Sequence, residues 1–115
     1  MTATTKKQYT QGWTFCISIA RHAWRFFLLN PDATIDNMSD PSRDAWIACY
    51  VVWADLNDTE QAIIRAHHTT NGSQTDVDDA VAATANRLGL NDEDARRILR
   101  KAWREWAIKR GLADR

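Results

Sequence analysis

Proline, glycine and cysteine are all scarce in this chain of 115 residues, which contains two, four and two of them respectively. The chain also lacks low-complexity tracts and internal repeats. Its cysteines, Cys16 and Cys49, lie far apart without a CxxC pair, and we find no secretory leader before them. We therefore expect two reduced, buried thiols in a cytoplasmic protein rather than a disulfide.

Net charge is absent as well, because 15 basic side chains balance 15 acidic ones. The charges are nevertheless sorted along the chain. Residues 1–31 contain four basic and no acidic side chains. Residues 32–94 contain three basic and 13 acidic side chains, and residues 95–115 contain eight basic and two acidic ones. This sorting either concentrates positive potential on one face of the fold, or lets the regions neutralise each other within it.

The chain has no apolar run of the roughly 20 residues that a membrane span needs. Arg21, His22 and Arg25 interrupt the most apolar segment, so we expect no membrane partner. What the chain does contain is 44% hydrophobic residues, including six tryptophans. This length and composition predict one globular domain over residues 1–115, with a core that needs no disulfide or metal.

Apolar spacing predicts an all-α fold of about five helices. The predicted helices run from Tyr9 to Leu29, from an N-cap at Asp40 to about Leu56, from Asn57 to His67 or His68, from Thr75 to Leu88, and from Asp92 to Arg110. A buried strand is the alternative for residues 46–53, but their alanines and the preceding cap favour a helix. We expect residues 1–8 to be flexible, residues 9–56 to form a Trp-rich helical support, and residues 57–110 to form a helix-turn-helix unit.

The first predicted helix has two apolar faces, which suggests burial on more than one side. One face carries Phe15, Ile19, Phe26 and Leu29, which we predict to be self-association residues of a homodimer. The alternative is a monomer in which the first two helices bury each other.

The last third of the chain carries the clearest local pattern. Gly89 is suited to a left-handed helix stop, and Asn91 with Asp94 three residues later forms an acidic variant of the capping box. In the helix that follows, Ala95, Ile98, Leu99, Ala102, Trp103 and Trp106 form one apolar face, and Arg96, Arg97, Arg100, Lys101 and Arg104 lie opposite. The basic stripe either contacts a nucleic-acid backbone or is a solvated helix face.

Twelve residues carry a resemblance to a known family: Leu56, Glu60, Ile63, Ile64, Thr84, Ala85, Leu88, Gly89, Leu90, Ala95, Ile98 and Ala102. Over about residues 56–107 the chain resembles the C-terminal helix-turn-helix region of bacterial RNA polymerase sigma factors, and small phage-encoded regulators built on the same pattern. Ala85 and Gly89 match the structural turn, where the two helices of such a motif cross closely.

The resemblance implies a DNA-binding transcriptional regulator of phage or prophage origin, with duplex DNA and RNA polymerase as partners. It places Asn91, Glu93, Arg96, Arg97, Arg100, Lys101 and Arg104 at the DNA. The alternative function is an oligomeric helical interaction module that does not bind DNA.

Other chemistry has little support in the sequence. Adjacent histidines on a helix point about 100° apart, so we interpret His67 and His68 as a solvated helix end rather than a metal site. We expect His22 to be partly buried and hydrogen-bonded rather than a general base. Because phosphate loops, nucleophile elbows and paired catalytic carboxylates are missing, we predict no enzyme, no cofactor and no metal.

Overall fold

The computed structural model describes the backbone of residues 2–112 and the side chains of residues 16–112. Every regular element in these residues is helical, which confirms the predicted all-α class with five α-helices. They are α1 (Thr2–Leu29), α2 (Asp40–Ala54), α3 (Asp58–Thr69), α4 (Gln74–Arg87) and α5 (Asp92–Lys109), with a short 3-10 turn at Ile35–Asn37 between α1 and α2.

The first helix is longer than the sequence predicted. It begins at Thr2 instead of near Tyr9, so residues 2–8, which we expected to be flexible, are helical. This segment contains neither proline nor glycine, and each residue added to an existing helix gains a backbone hydrogen bond. At the other end the side-chain amide of Asn30 donates to the carbonyl of Phe26 (2.9 Å), just before Pro31.

Two helices begin earlier than predicted. In α2 the N-cap is Ser39, whose hydroxyl accepts from the backbone N–H of Ser42 (3.4 Å), and not Asp40. Pro41 fits the first turn because its missing N–H has no partner there in any helix.

The cap of α4 lies two residues before the predicted Thr75. Ser73 and Asp76 form a reciprocal capping box, with distances of 3.2 and 2.9 Å. Gly72 makes this cap sterically possible, because a Cβ at that position would collide with the Asp76 carboxylate.

The core lies where α1 packs against α2, α3 and α5. Trp24 of α1 is fully buried, with its ring 5.8 Å from Phe27 and 6.2 Å from Trp53 of α2. Ile63 and Ile64 of α3 are fully buried on the same core. The apolar circumference of α1 is therefore explained largely by its central place in the bundle.

Both cysteines are free and buried, as predicted. Burial raises the pKa of the Cys49 thiol above its ordinary value, so this group stays protonated and unreactive at neutral pH. None of the helices in the described residues combines the length and the apolar character that a membrane crossing requires.

Candidate nucleic-acid interface

The connection between α4 and α5 is a tight turn with a left-handed glycine. Gly89 has a φ of +74°, as the sequence predicted. The N–H of Leu90 donates to the carbonyl of Ala85 (2.8 Å), and the N–H of Gly89 donates to that of Asn86 (3.2 Å). These two bonds satisfy the last carbonyls of α4 in a Schellman motif and fix the direction in which the chain leaves the helix.

The start of α5 is fixed by the capping box expected from the sequence. The side-chain oxygen of Asn91 accepts from the N–H of Asp94 (2.8 Å), and the Asp94 carboxylate accepts from the N–H of Asn91 (3.2 Å). A paired contact with an adenine edge needs both the oxygen and the amide group of an asparagine. The capping bond occupies one of the two lone pairs of the Asn91 oxygen, which restricts how Asn91 can pair with a base while the cap is intact.

The predicted apolar face of α5 packs into the bundle. Four of its members are buried and two are partly buried: Ala95, Leu99, Ala102 and Trp106, and Ile98 and Trp103. The indole of Trp106 also donates to the backbone carbonyl of Ala45 in α2 (3.1 Å). This docking fixes which side of α5 faces solvent.

The opposite side of α5 presents the basic stripe, which consists of Arg96, Arg97, Arg100, Lys101 and Arg104, all exposed. Three of them form ion pairs: Arg97 with Asp94 (3.3 Å), Arg100 with Glu93 (3.2 Å) and Lys101 with Glu60 of α3 (3.5 Å). Within the described residues, Arg96 and Arg104 have no acidic group within 4.0 Å. Of these pairs, Arg100 with Glu93 is exposed on both sides and contributes little, so a phosphate can replace the Glu93 carboxylate at small cost.

Acidic residues lie close to one end of the basic stripe. Asp78 and Asp79 of α4 and Asp92 of α5 line a cleft together with Arg96. These carboxylates oppose a phosphate at Arg96. Contacts with a nucleic-acid backbone are more favourable at Arg100 and Arg104, about one and two turns further along the helix.

The two adjacent histidines do not form the solvated helix end that we predicted. His68 is 4% exposed: its Nδ1 lies 2.8 Å from the carbonyl of Ile64, and its Nε2 accepts from the indole of Trp103 (3.0 Å). Both bonds fit one neutral tautomer, with the proton on Nδ1. Burial lowers the pKa of His68 to about 3, assisted by the charges of His67, Arg21 and Arg25.

His67 is partly buried beside this pair, with its ring 5.4 Å from that of Trp103. Burial and the Arg21 charge lower the pKa of His67 to about 4, against the opposing effect of Asp78. His22, which we expected to be partly buried, is exposed.

The predicted self-association residues are partly exposed. Phe26 and Leu29 are 44% and 50% exposed and Ile19 is half-buried, whereas the side chain of Phe15 lies outside the described residues.

Sequence reasoning missed the outward face of α2. That face exposes Ile47, Tyr50 and Val51, at 38%, 57% and 38%. Their 3- and 4-residue spacing was the available signal.

Comparison of the chain with family models, with curated proteins and with solved structures gives no match.

Proposed function

We propose that this protein binds duplex DNA through α4, the turn at Gly89 and α5, with α5 in the major groove, and acts in transcriptional control. One observation carries the proposal. Helix α5 starts at a capped residue directly after a left-handed glycine turn, buries one face in the bundle and presents five cations on the other. The resemblance to sigma factors adds RNA polymerase as a second partner and a phage or prophage origin.

In this proposal the residues of the basic stripe have two different functions. Arg96, Arg97 and Arg100 reach base edges, where a guanidinium makes paired bonds to guanine, and Lys101 and Arg104 bind flanking phosphates. Glu93 is exposed one turn before them and suits the exocyclic amine of cytosine. The acidic start of α5 then contributes to base selection, although it repels the backbone.

Titration of a labelled duplex at increasing KCl concentration tests the proposal. If three to five phosphates are neutralised, log K falls with log salt at a slope of about −3 to −4.5. The double variant Lys101→Gln with Arg104→Gln removes the two phosphate-binding cations and should bring the slope about 1.8 closer to zero, at about 0.9 per lost contact.

The matched control removes two charges elsewhere, by Arg43→Gln in α2 with Arg65→Gln in α3. This control should keep the parent slope. Absence of binding even at low salt contradicts the proposal, and so does an equal change of slope in both double variants. Selection of bound fragments from a random DNA pool then tests whether binding is sequence-specific.

A second candidate function, self-association, is favoured by the exposed apolar residues of α1 and α2. Ile47 and Val51 line a groove that also contains Asp44 and Lys109. In a two-fold dimer the same surface is used by both copies, so Asp44 of one protomer can face Lys109 of the other around an apolar centre. In this arrangement, a second copy of the chain occupies the groove. A dimer would also bring two α5 helices to two half-sites.

Sedimentation equilibrium at micromolar concentration tests self-association. We expect twice the 13.2 kDa mass of one chain for the parent. Val51→Glu places a charge in this apolar groove and should return the mass to that of a monomer. Phe26→Glu makes the same test of the exposed face of α1, which lines a different groove. Asn86→Glu, on the exposed side of α4, is the control and should leave the dimer intact. A single-chain mass for the parent across the concentration range rejects this candidate.

A further inference from the structure

A separate cleft of about 490 Å³ lies between α1, α3 and the loop that joins α3 to α4. Its basic and imidazole groups are Arg21, His22 and Arg25 of α1 and His67 and His68 of α3. None of the residues lining it is an aspartate or a glutamate. The volume falls within the range of small-molecule sites, and the lining favours an anion.

Arg25 is held in place by neutral oxygen atoms. Its Nη1 donates to the carbonyl of His68 (3.0 Å) and its Nη2 donates to the side-chain oxygen of Asn71 (2.7 Å). These bonds orient the guanidinium without a carboxylate to neutralise it. The remaining N–H groups are therefore available to an anion, and little side-chain entropy is lost on binding.

Arg21 lies one helical turn before Arg25 and is positioned by an aromatic ring. Its guanidinium carbon is 5.8 Å from the centre of the Trp103 ring. A cation–π contact uses the flat face of the guanidinium and leaves its N–H edge open. In the described part of the chain no acidic group lies within 4.0 Å of either arginine.

The rest of the cleft adds features that suit an organic anion. Ile17 and Val77 give it apolar wall, and the Thr70 hydroxyl lies at its edge, where it donates to the carbonyl of Ala66 (2.6 Å). His67 faces Arg21 and the charge of Asp78, and at neutral pH it is uncharged. An anion bound between the arginines would stabilise the protonated form of His67.

We propose that this cleft binds a small phosphorylated molecule, with its phosphate between Arg21 and Arg25 and its organic part against Ile17 and Val77. A phosphate matches two adjacent guanidinium groups better than a carboxylate does, because it has more acceptor oxygens and a charge of nearly two at neutral pH. This site is independent of the DNA-binding proposal, since it contains none of the stripe residues of α5.

The test is a titration with phenyl phosphate, followed by NMR at the His67 ring Cε1–H and the Trp103 indole N–H. We expect saturable shifts of both signals and a rise in the pKa of His67. Charged groups around His67 are Arg21 and Arg25 in this cleft and Asp78, Asp79, Asp92 and Arg96 in the cleft on its other side, and His22 and His68 also face this cleft. The titration is therefore repeated with Arg21→Met. This variant keeps packing area on Trp103 but removes the charge, and it should weaken binding about tenfold or more.

Three comparisons complete the design. Arg43→Met, on α2 and outside the lining of the cleft, is the matched control and should keep the parent affinity. Potassium chloride at equal ionic strength should leave both signals unshifted, and inorganic phosphate should bind more weakly than phenyl phosphate because it lacks the organic part.

The proposal is overturned if phenyl phosphate gives no saturable shift, if chloride gives the same shift, or if Arg21→Met binds as the parent does. Inorganic phosphate binding as tightly as phenyl phosphate overturns the organic part of the proposal. If the protein binds phenyl phosphate but does not bind DNA, the phosphate site is supported and only the DNA-binding proposal is contradicted.

Discussion

Lowering the pH from 7 to 4.5 is expected to remove about 3 kcal/mol from the free energy of unfolding through His68 alone. This side chain is 4% exposed and is held as a neutral ring between the carbonyl of Ile64 and the indole of Trp103. Protonating it in place would put a charge in the core and break the bond that the ring accepts from Trp103. The folded protein therefore resists protonation of His68 far more than the unfolded chain does.

The direction of the effect follows from the two pKa values. In the unfolded chain a histidine titrates near pH 6.5, whereas in the folded protein the pKa of His68 is about 3. Between these values the unfolded state binds a proton that the folded state does not bind. The stabilisation is thus complete above about pH 6.5 and is lost as the pH falls toward 3. His67, with a pKa of about 4, acts in the same direction.

Urea unfolding at pH 7 and at pH 4.5 measures this loss. His68→Gln should be less stable than the parent at pH 7, but its stability should fall by about 3 kcal/mol less on acidification, because the titrating group is gone. His22→Gln removes an exposed histidine and should behave as the parent does. An equal loss in the parent and in His68→Gln, or a folded-state pKa of His68 near 6.5 by NMR, contradicts the prediction.

The burial of His68 shows where sequence reasoning stopped. The segment that follows it is polar and contains Asn71 and Gly72, which is typical of a solvated helix end. His68 is buried because Trp24 and Trp103 cover it, with ring centres 6.3 and 6.1 Å away. These partners lie 44 and 35 positions away in the chain, so no local pattern could reveal the contact.

Local patterns did predict α5 and the turn before it. Gly89, the Asn91 cap and the apolar spacing all favour the same structure, so nothing competes with it. The start of α4 was misplaced because Ser73 with Asp76 and Thr75 with Asp78 have the same three-residue spacing. The glycine before Ser73 favours the first pair, and this follows only from its contact with Asp76 in the structure.

The candidate DNA-binding face also has features that the sequence predicted and features that it could not predict. The sequence predicted which residues of α5 are exposed, because helical periodicity alone decides that. It could not predict that Asp78 and Asp79 would lie in the cleft beside Arg96, since this depends on how α4 packs against α5. The exposed face of α2 was missed because self-association was predicted for α1 alone, and the apolar residues of α2 were considered only as partners that bury α1 in a monomer.

Loss of Trp106, one of the two fully buried tryptophans in the described residues, should strongly destabilise the fold. This side chain is fully buried where α5 meets α2, and its indole donates to the carbonyl of Ala45 (3.1 Å). Trp106→Ala removes a large aromatic side chain and leaves a cavity, which costs about 3–5 kcal/mol. A domain of this size has a total stability of roughly 5–15 kcal/mol, so the variant should be close to unfolding at moderate temperature.

Urea unfolding followed by circular dichroism compares Trp106→Ala with two further variants. Trp106→Phe keeps most of the apolar volume but removes the donor to Ala45, whose carbonyl keeps its partner within α2, so it should lose about 0.5–1.5 kcal/mol for the one lost hydrogen bond. Tyr50→Ala, at a position 57% exposed on α2, is the control and should change stability far less. A loss below about 1 kcal/mol in Trp106→Ala would mean that α5 does not dock on α2 through this side chain. The orientation of the basic stripe would then lose its structural basis, because the same docking directs Arg100 and Arg104 toward solvent.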